Sequence, residues 1–159
     1  MLTDYVVIDL EMTGLNAKTD RILETGAARV RGNVVTATFS EIINPKRELS
    51  EKVISLTGIT NEMAVQGKEM DATLMAFLDF IGEDILVGQN VIFDYSFLKQ
   101  WAVNHKRTFE RNAVDTLKLA RKFLPQEQKK DLASLCSYFG IERVHAHRAL
   151  DDVMETQQI

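Results

Sequence analysis

The hydrophobic pattern of the chain changes from strand spacing in its first part to mainly helical spacing later, and this change restricts the possible folds more than any other feature. Three segments near the start are rich in β-branched and aromatic residues and predict strands: 5–11, 21–31 and 34–43. From residue 74 onward the apolar residues recur at helical spacing. Ser50 and Thr60 are predicted N-caps of short helices, Gly140 is predicted to end a helix, and a last helix is predicted to begin near His147. Two short segments between the predicted helices indicate further strands: 85–88 and 112–115. This order predicts an α/β fold, a mixed five-stranded sheet flanked by helices.

The length of the chain and its composition fit one globular domain. The 159 residues, 45% of them hydrophobic, suffice for a buried core, and no linker divides them, so we expect residues 1–159 to form a single domain. Cys136 is the only cysteine, which excludes an internal disulfide and fits a reducing cytoplasm. We expect no signal peptide, and no apolar stretch approaches the ~20 residues that a membrane helix needs.

The first predicted strand carries two carboxylates among apolar residues. Because side chains alternate along a strand, Asp9 and Glu11 point to the same face of the sheet. Their apolar neighbours indicate a central strand, where unpaired carboxylates are costly. A divalent cation would relieve the repulsion between the two groups, and hard oxygen ligands suit Mg²⁺ or Mn²⁺. The alternative at this point is an edge strand with two solvated acids.

Two later segments add groups of the same chemical kind. Asp94 follows the fourth predicted strand, and strand ends of this kind collect ligands in α/β sheets, although an Asp beside a helix start is commonly a cap. His145 and His147 precede Asp151 and Asp152, which brings a titratable base next to further metal-ligating oxygens. Helical spacing places Ala149, Asp152, Val153 and Thr156 on one face, which predicts that Asp152 and not Asp151 turns toward Asp9 and Glu11. The formal net charge of −4 disfavours broad electrostatic binding of nucleic acid but permits a site that recruits cations first.

Five segments of the chain follow one another in the order of a known enzyme family: Asp9-x-Glu11 with Thr13-Gly14-Leu15, Ile22–Ala27, Asn44-Pro45 with Gly58-Ile59-Thr60, Asn90–Leu98, and His147–Asp152. Together they resemble the DEDD superfamily of 3′–5′ exonucleases, which includes the epsilon-like proofreading exonucleases of bacterial DNA polymerases. The resemblance spans nearly the whole chain and implies a ribonuclease H-like fold. His147 lies five residues before Asp152, which is the spacing of the histidine branch of the superfamily.

The resemblance also implies a two-metal mechanism and a role for each of five residues. Asp9, Glu11 and Asp152 would hold the Mg²⁺ or Mn²⁺ ion on the side of the nucleophile. Asp9 would bridge to a second ion, which Asp94 supports. His147 would take the proton from the attacking water, as an imidazole can. The two ions reconcile an acidic protein with a polyanionic substrate.

The expected substrate is the 3′ end of single-stranded or frayed DNA, with release of nucleoside 5′-monophosphates, and a DNA polymerase is an expected partner. By resemblance, four residues are candidates to contact the terminal nucleotide: Thr13, Leu15, Asn90 and Phe93. The alternative is that they are, in the same order, a turn residue, a surface Leu, a loop amide and a core Phe. Gln89 and Thr57 stand where the family often has His, which affects substrate handling more than chemistry. The chain ends seven residues after Asp152, which is short for the family's final helix and suggests a fragment.

Three alternatives follow from the same residues. The segment 8–15 also resembles oligoribonucleases, which makes short RNA an alternative substrate. A module that binds nucleic acid or a polymerase without catalysis is a second alternative, although such a module is expected to have lost acidic ligands. A metal-dependent phosphatase of small molecules is the third, and the extended set of candidate contacts argues against it.

Overall fold

The structure, a computed structural model, describes residues 1–159 and contains one five-stranded sheet with seven helices. The strands are β1 (Tyr5–Met12), β2 (Ile22–Arg31), β3 (Val34–Ile42), β4 (Leu86–Gly88) and β5 (Ala113–Asp115). The helices are α1 (Glu51–Thr57), α2 (Asn61–Val65), α3 (Met70–Ile81), α4 (Ile92–Asn104), α5 (Thr116–Phe123), α6 (Leu132–Phe139) and α7 (Ala149–Gln158). The strand order is β3-β2-β1-β4-β5. β1, β2 and β3 are antiparallel neighbours, whereas β4 is parallel to β1 and β5 is parallel to β4, which confirms the predicted mixed sheet.

β1 is the central strand, as its apolar sequence predicted. Val6, Ile8 and Leu10 face the larger core, which α3 and α4 cover. Val7 faces the opposite side, where it packs in a cluster with Val153 of α7. Because side chains alternate, Asp9 and Glu11 share the face of Val7 and therefore lie on the side that α7 covers.

Several helix ends follow from local sequence signals. Ser50 and Thr60 each accept a hydrogen bond at the start of a short helix, from the backbone N–H groups of Val53 and Met63, as their N-cap preference predicted. Gly140 ends α6 in the left-handed conformation, with a φ of 70°, as predicted. No helix combines the length and the apolar character needed to cross a membrane.

The sheet opens where β1 outlasts its neighbour β4. β4 pairs with β1 only at Val6 and Val7, whereas β1 continues to Met12. Beyond the end of β4, the backbone N–H of Leu10 donates instead to Oδ1 of Asp94, at 3.0 Å, in the first turn of α4. A gap therefore forms between β1 and the start of α4, at the carboxyl end of β4, which is the position at which α/β sheets collect ligands.

The start of the last helix was predicted wrongly by two residues. We expected a helix from near His147, but α7 begins at Ala149. His147 has a φ of 59°, in the left-handed region, and Arg148 is extended, with φ −114° and ψ 126°. The chain therefore enters α7 through a sharp turn, which leaves His147 exposed in the connecting loop.

Candidate active site

Three predicted site residues converge between β1 and α7. Glu11, His147 and Asp152 each offer a ligand atom, and these atoms lie within 4.8 Å of one another. Asp152 is buried on the inner face of α7, Glu11 is half-buried on β1, and His147 is exposed in the loop before the helix. Two carboxylates and an imidazole at this separation can bind a divalent cation.

Asp9 lies beside this trio and has an unsatisfied oxygen. Its Oδ2 atom is buried and has no hydrogen-bond partner. Burial raises the pKa of Asp9 well above its usual value, and the charges of Asp94, Glu11 and Asp152 raise it further. A buried carboxylate oxygen without a partner is costly, and a bound cation would satisfy it. The donor set therefore fits a divalent metal.

The pKa values of the other carboxylates in the cluster are also raised. Burial raises the pKa of Glu11 to about 9, and the charges of Asp152 and Glu24 add to the effect. Burial raises the pKa of Asp94 to about 8, although the hydrogen bond from Leu10 opposes the shift. Burial raises the pKa of Asp152 to about 6, against the lowering effect of Arg143. These groups repel one another when they are ionised together, and oxygen-preferring cations such as Mg²⁺ or Mn²⁺ would relieve the repulsion.

Asp94 does not cap its own helix, contrary to the alternative considered from the sequence. Val91 occupies the N-cap of α4 and makes no side-chain cap hydrogen bond. Asp94 instead accepts the N–H of Leu10 across the gap in the sheet, as described above. It thus joins α4 to β1 and brings a fourth carboxylate to the cluster.

Arg143 is a charged neighbour that sequence reasoning missed. Its Nη2 atom lies 2.8 Å from Oδ1 of Asp152, and its Nε atom lies 2.7 Å from Oε2 of Glu155. Glu155 is buried, and its Oε1 atom has no hydrogen-bond partner. Arg143 is therefore the cation that compensates the two buried acids of α7. No pattern in the sequence distinguishes it from a surface arginine.

The two histidines of the loop differ in their surroundings. The Nδ1 atom of His145 lies 3.5 Å from Oδ2 of Asp151, and the His145 side chain is 72% exposed. His147, in contrast, turns its ring toward Glu11 and Asp152, and its backbone N–H donates to Oδ1 of Asp152 at 3.3 Å. Only His147 joins the carboxylate cluster.

The four candidate substrate contacts have different environments. The Oγ1 atom of Thr13 donates to Asp20 and accepts the backbone N–H of Arg21, so it organises the turn between β1 and β2. Leu15 is 73% exposed on that turn. Asn90 has a φ of 56°, and Phe93 on α4 is 37% exposed, so Phe93 is not the core residue of the alternative reading.

A cleft runs between the β1–β2 turn and α4. Its volume is about 840 Å³, and Leu15, Lys18, Tyr95 and Lys99 are among the residues that line it. The cleft shares Leu15 with the set of candidate contacts. It combines apolar surface with Lys18, Lys99 and Asp20, and Lys99 forms an ion pair with Glu110.

Comparison with known proteins assigns the chain to a family. A family profile described as exonuclease, RNase T, matches residues 6–159. The DNA polymerase III subunit epsilon of Aquifex aeolicus is 36% identical over 156 residues, which are 98% of this chain and 77% of that protein. The chain therefore belongs to the RNase T family of exonucleases.

Two further matches cover smaller parts of longer proteins. The PolC-type DNA polymerase III of Bacillus subtilis is 38% identical over 157 residues, which are 96% of this chain but 11% of that polymerase. The zinc-bound complex of E. coli exonuclease I with single-stranded DNA superposes with a TM-score of 0.86 at 19% identity, over 99% of this chain and 39% of that one. The second match shows the shared fold, and the first shows that a chain of this kind also occurs within a much larger polymerase.

Proposed function

We propose that residues 1–159 form one exonuclease domain that hydrolyses the terminal phosphodiester bond at the 3′ end of DNA and releases nucleoside 5′-monophosphates. The observation that carries this proposal is the cluster of Asp9, Glu11, Asp94 and Asp152 at the opening of the sheet, next to the exposed His147. Arg143 pairs with Asp152, but the buried Oδ2 atom of Asp9 has no partner, and such a cluster of acids is destabilising unless cations bind it.

The family resemblance implies that the carboxylates would serve two metal ions. Asp9, Glu11 and Asp152 would hold one Mg²⁺ or Mn²⁺ ion, while Asp9 and Asp94 would hold a second. Such ions, when bound, activate water and stabilise the charge on the phosphate and the leaving 3′ oxygen. The requirement for oxygen-preferring metals follows from the ligand set, which contains carboxylates and no thiolate.

His147 is proposed as the general base. It is exposed, so its ring can reach a water molecule from the solvent side, and its nitrogen lies within 4.8 Å of carboxylate oxygens of Glu11 and Asp152. A base in this position would take the proton from the attacking water while the neighbouring acids stabilise the imidazolium that forms. The left-handed backbone at His147 directs the residue out of the helix and over the cluster.

The exposed apolar side chains at the rim support a role in holding the last nucleotide. Leu15 and Phe93 stand on the two elements that flank the opening, and both are exposed. Apolar contact with a sugar or base tolerates any sequence, which suits an exonuclease that must accept all four nucleotides. Thr13 and Asn90 are proposed to position the nucleotide through the turn and the loop that carry them. Lys18, in the adjoining cleft, would contact the phosphates upstream of the last nucleotide.

DNA is favoured as the substrate because the similar proteins are named for DNA synthesis or for a complex with DNA. These proteins are a DNA polymerase III subunit epsilon, a PolC-type DNA polymerase III and an exonuclease I in complex with single-stranded DNA. We propose that this domain works on single-stranded or frayed ends, and that a DNA polymerase is its partner in proofreading. Cys136 is a buried free thiol, which suits the reducing cytoplasm that we propose as the location.

A digestion experiment tests the proposed function. Single strands of DNA and of RNA, each labelled at the 5′ end, are incubated with the protein in Mg²⁺, in Mn²⁺ or in excess EDTA. We expect a ladder that shortens from the 3′ end of DNA only with metal, and no products from the Asp9→Ala variant. Faster digestion of RNA would favour the oligoribonuclease alternative. Full activity in EDTA, or in Asp9→Ala, would refute the proposed metal mechanism.

A further inference from the structure

Glu24 is a buried acid that the proposed chemistry does not use. It lies on β2 directly opposite Glu11, and its exposure is 1%. Its partners are Arg148, whose Nε and Nη2 atoms donate to Oε2 at 3.0 and 2.8 Å, and Ala149, whose backbone N–H donates to Oε1 at 2.6 Å. Both partners belong to the start of α7, 124 and 125 positions away along the chain.

The hydrogen bond from the N–H of Ala149 to Glu24 replaces the side-chain cap that α7 lacks at its N-cap residue. The first N–H groups of a helix have no partner within the helix, and a side chain of the preceding residue commonly accepts one of them. Arg148 occupies the N-cap position of α7 but cannot accept a hydrogen bond with its side chain, and it makes no cap bond. Glu24 therefore caps α7 from a neighbouring strand. Its negative charge also lies at the positive end of the helix dipole.

Gly26 completes the contact by letting the helix approach the strand. It lies on β2 opposite Asp9, two residues beyond Glu24 and on the same face of the sheet. A Cβ atom at this position would lie 2.5 Å from the carbonyl carbon of Ala149 and 2.7 Å from the backbone nitrogen of Leu150. Both are backbone atoms, so a side chain here would displace the start of α7.

We propose that Glu24 and Gly26 form a seat for the first turn of α7 that positions Asp152 and His147 against Asp9 and Glu11. The helical turn that the seat holds also carries Asp152, because the N–H of Asp152 donates to the carbonyl of Arg148 at 3.0 Å. His147 immediately precedes Arg148. A shift of this turn therefore moves the candidate base and the candidate metal ligand together. The inference rests on the proposed function only in assigning those two roles.

Three variants separate positioning from general stability. Glu24→Gln keeps the shape of the side chain but removes the charge that pairs with Arg148. Gly26→Ala keeps Glu24 and places a Cβ atom against the backbone at the start of α7. Thr57→Ala is the matched control, because buried Thr57 hydrogen-bonds only to Val53 and Ile59 at the end of α1, away from α7.

Two measurements are made on the parent and on each variant. Calorimetric titration gives the Kd for Mn²⁺, and hydrogen exchange in EDTA gives the protection of the Ala149 and Asp152 amides. We expect Glu24→Gln and Gly26→Ala to weaken Mn²⁺ binding by the ~10–100-fold typical of losing a residue that orients a metal ligand. Both variants should also lose protection at the two amides. Thr57→Ala should lower the melting temperature and leave the Kd and both amides unchanged.

The outcomes distinguish the seat from the proposed function. Parental Mn²⁺ affinity and parental exchange in both seat variants would overturn the inference. An equal loss of Mn²⁺ affinity in Thr57→Ala would also overturn it, because the effect would then follow stability alone. If the parent itself bound no Mn²⁺, the proposed function would fail, and hydrogen exchange at Ala149 and Asp152 would still decide whether the seat positions α7.

Discussion

His147 and His145 are two residues apart, but only His147 joins the acidic cluster. We expect His147→Ala to lower kcat by the ~10²–10⁴-fold that loss of a general base typically causes, with a smaller change in KM. His145→Ala is the matched control and should retain the kcat of the parent, because its ring pairs only with Asp151. Steady-state kinetics on a labelled DNA strand measures kcat and KM for the parent and for both variants. A large loss in His145→Ala with an unaffected His147→Ala would reverse the assignment.

At the residue scale, the sequence predicted the positions of side chains that follow from local periodicity. It missed the ion pairs that join residues from different parts of the fold. The alternation in β1 correctly predicted that Asp9 and Glu11 share a face, because strand periodicity is a local property. Arg143 gave no signal, because pairing with the two acids of α7 requires a loop conformation that no pattern encodes. The ion pair of Arg148 with Glu24 joins residues 124 positions apart, beyond the reach of any local pattern.

At the scale of elements, the register of α7 decides which of two adjacent aspartates faces the sheet. The sequence predicted Ala149, Asp152, Val153 and Thr156 on one face, and all four are buried. Asp151 is half-buried and turned toward His145. This prediction succeeded although the first residue of the helix was wrong, because a helical face depends on spacing and not on the terminus.

The same register gives a direct test with two neighbouring substitutions. We expect Asp152→Asn to weaken Mn²⁺ binding by more than the ~10–100-fold typical of an outer-sphere partner, and to abolish most of the nuclease rate. Asp151→Asn should keep the Mn²⁺ affinity of the parent. Calorimetry and the nuclease assay are run on both proteins. The opposite ranking would mean that α7 lies one residue out of register in solution.

Helix boundaries were predictable where the cap is local and unpredictable where it is tertiary. Ser50, Thr60 and Gly140 are caps within three or four residues of the groups that they satisfy, so sequence alone predicted them. The start of α7 depends on an acceptor from β2, namely Glu24. The two-residue error at His147 therefore has a physical cause, which is a cap supplied by a distant strand.

At the scale of the whole molecule, the acidic cluster makes stability depend on pH and on metal. The raised pKa values mean that the folded protein keeps protons that the unfolded chain has released. The contribution of these groups to stability is therefore greatest below the ordinary carboxyl pKa of about 4. It is lost as the pH rises through the pKa values of Asp152, Asp94 and Glu11, which are about 6, about 8 and about 9.

Thermal unfolding in EDTA measures this effect. We expect the melting temperature of the metal-free protein to fall between about pH 6 and about pH 9, because the cluster loses its protons without gaining a cation. Saturating Mn²⁺ should raise the melting temperature most at the alkaline end, where the acids are ionised and bind the ion best. Asp9→Asn should show a shallower fall in EDTA. A melting temperature that rises across this range in EDTA would contradict the electrostatic account.

The seat of α7 also has a consequence for the stage of folding at which the candidate site is complete. The carboxylates of β1 and the carboxylate of α7 are separated by most of the chain, so the cluster exists only after the last helix has docked on β1 and β2. Pairing of such distant segments is a slow part of folding. A nascent chain that has left the ribosome only as far as Gly140 contains the whole sheet but lacks both His147 and Asp152. Such a chain lacks the proposed base and one proposed metal ligand, so the acidic cluster is complete only after α7 has docked on the sheet.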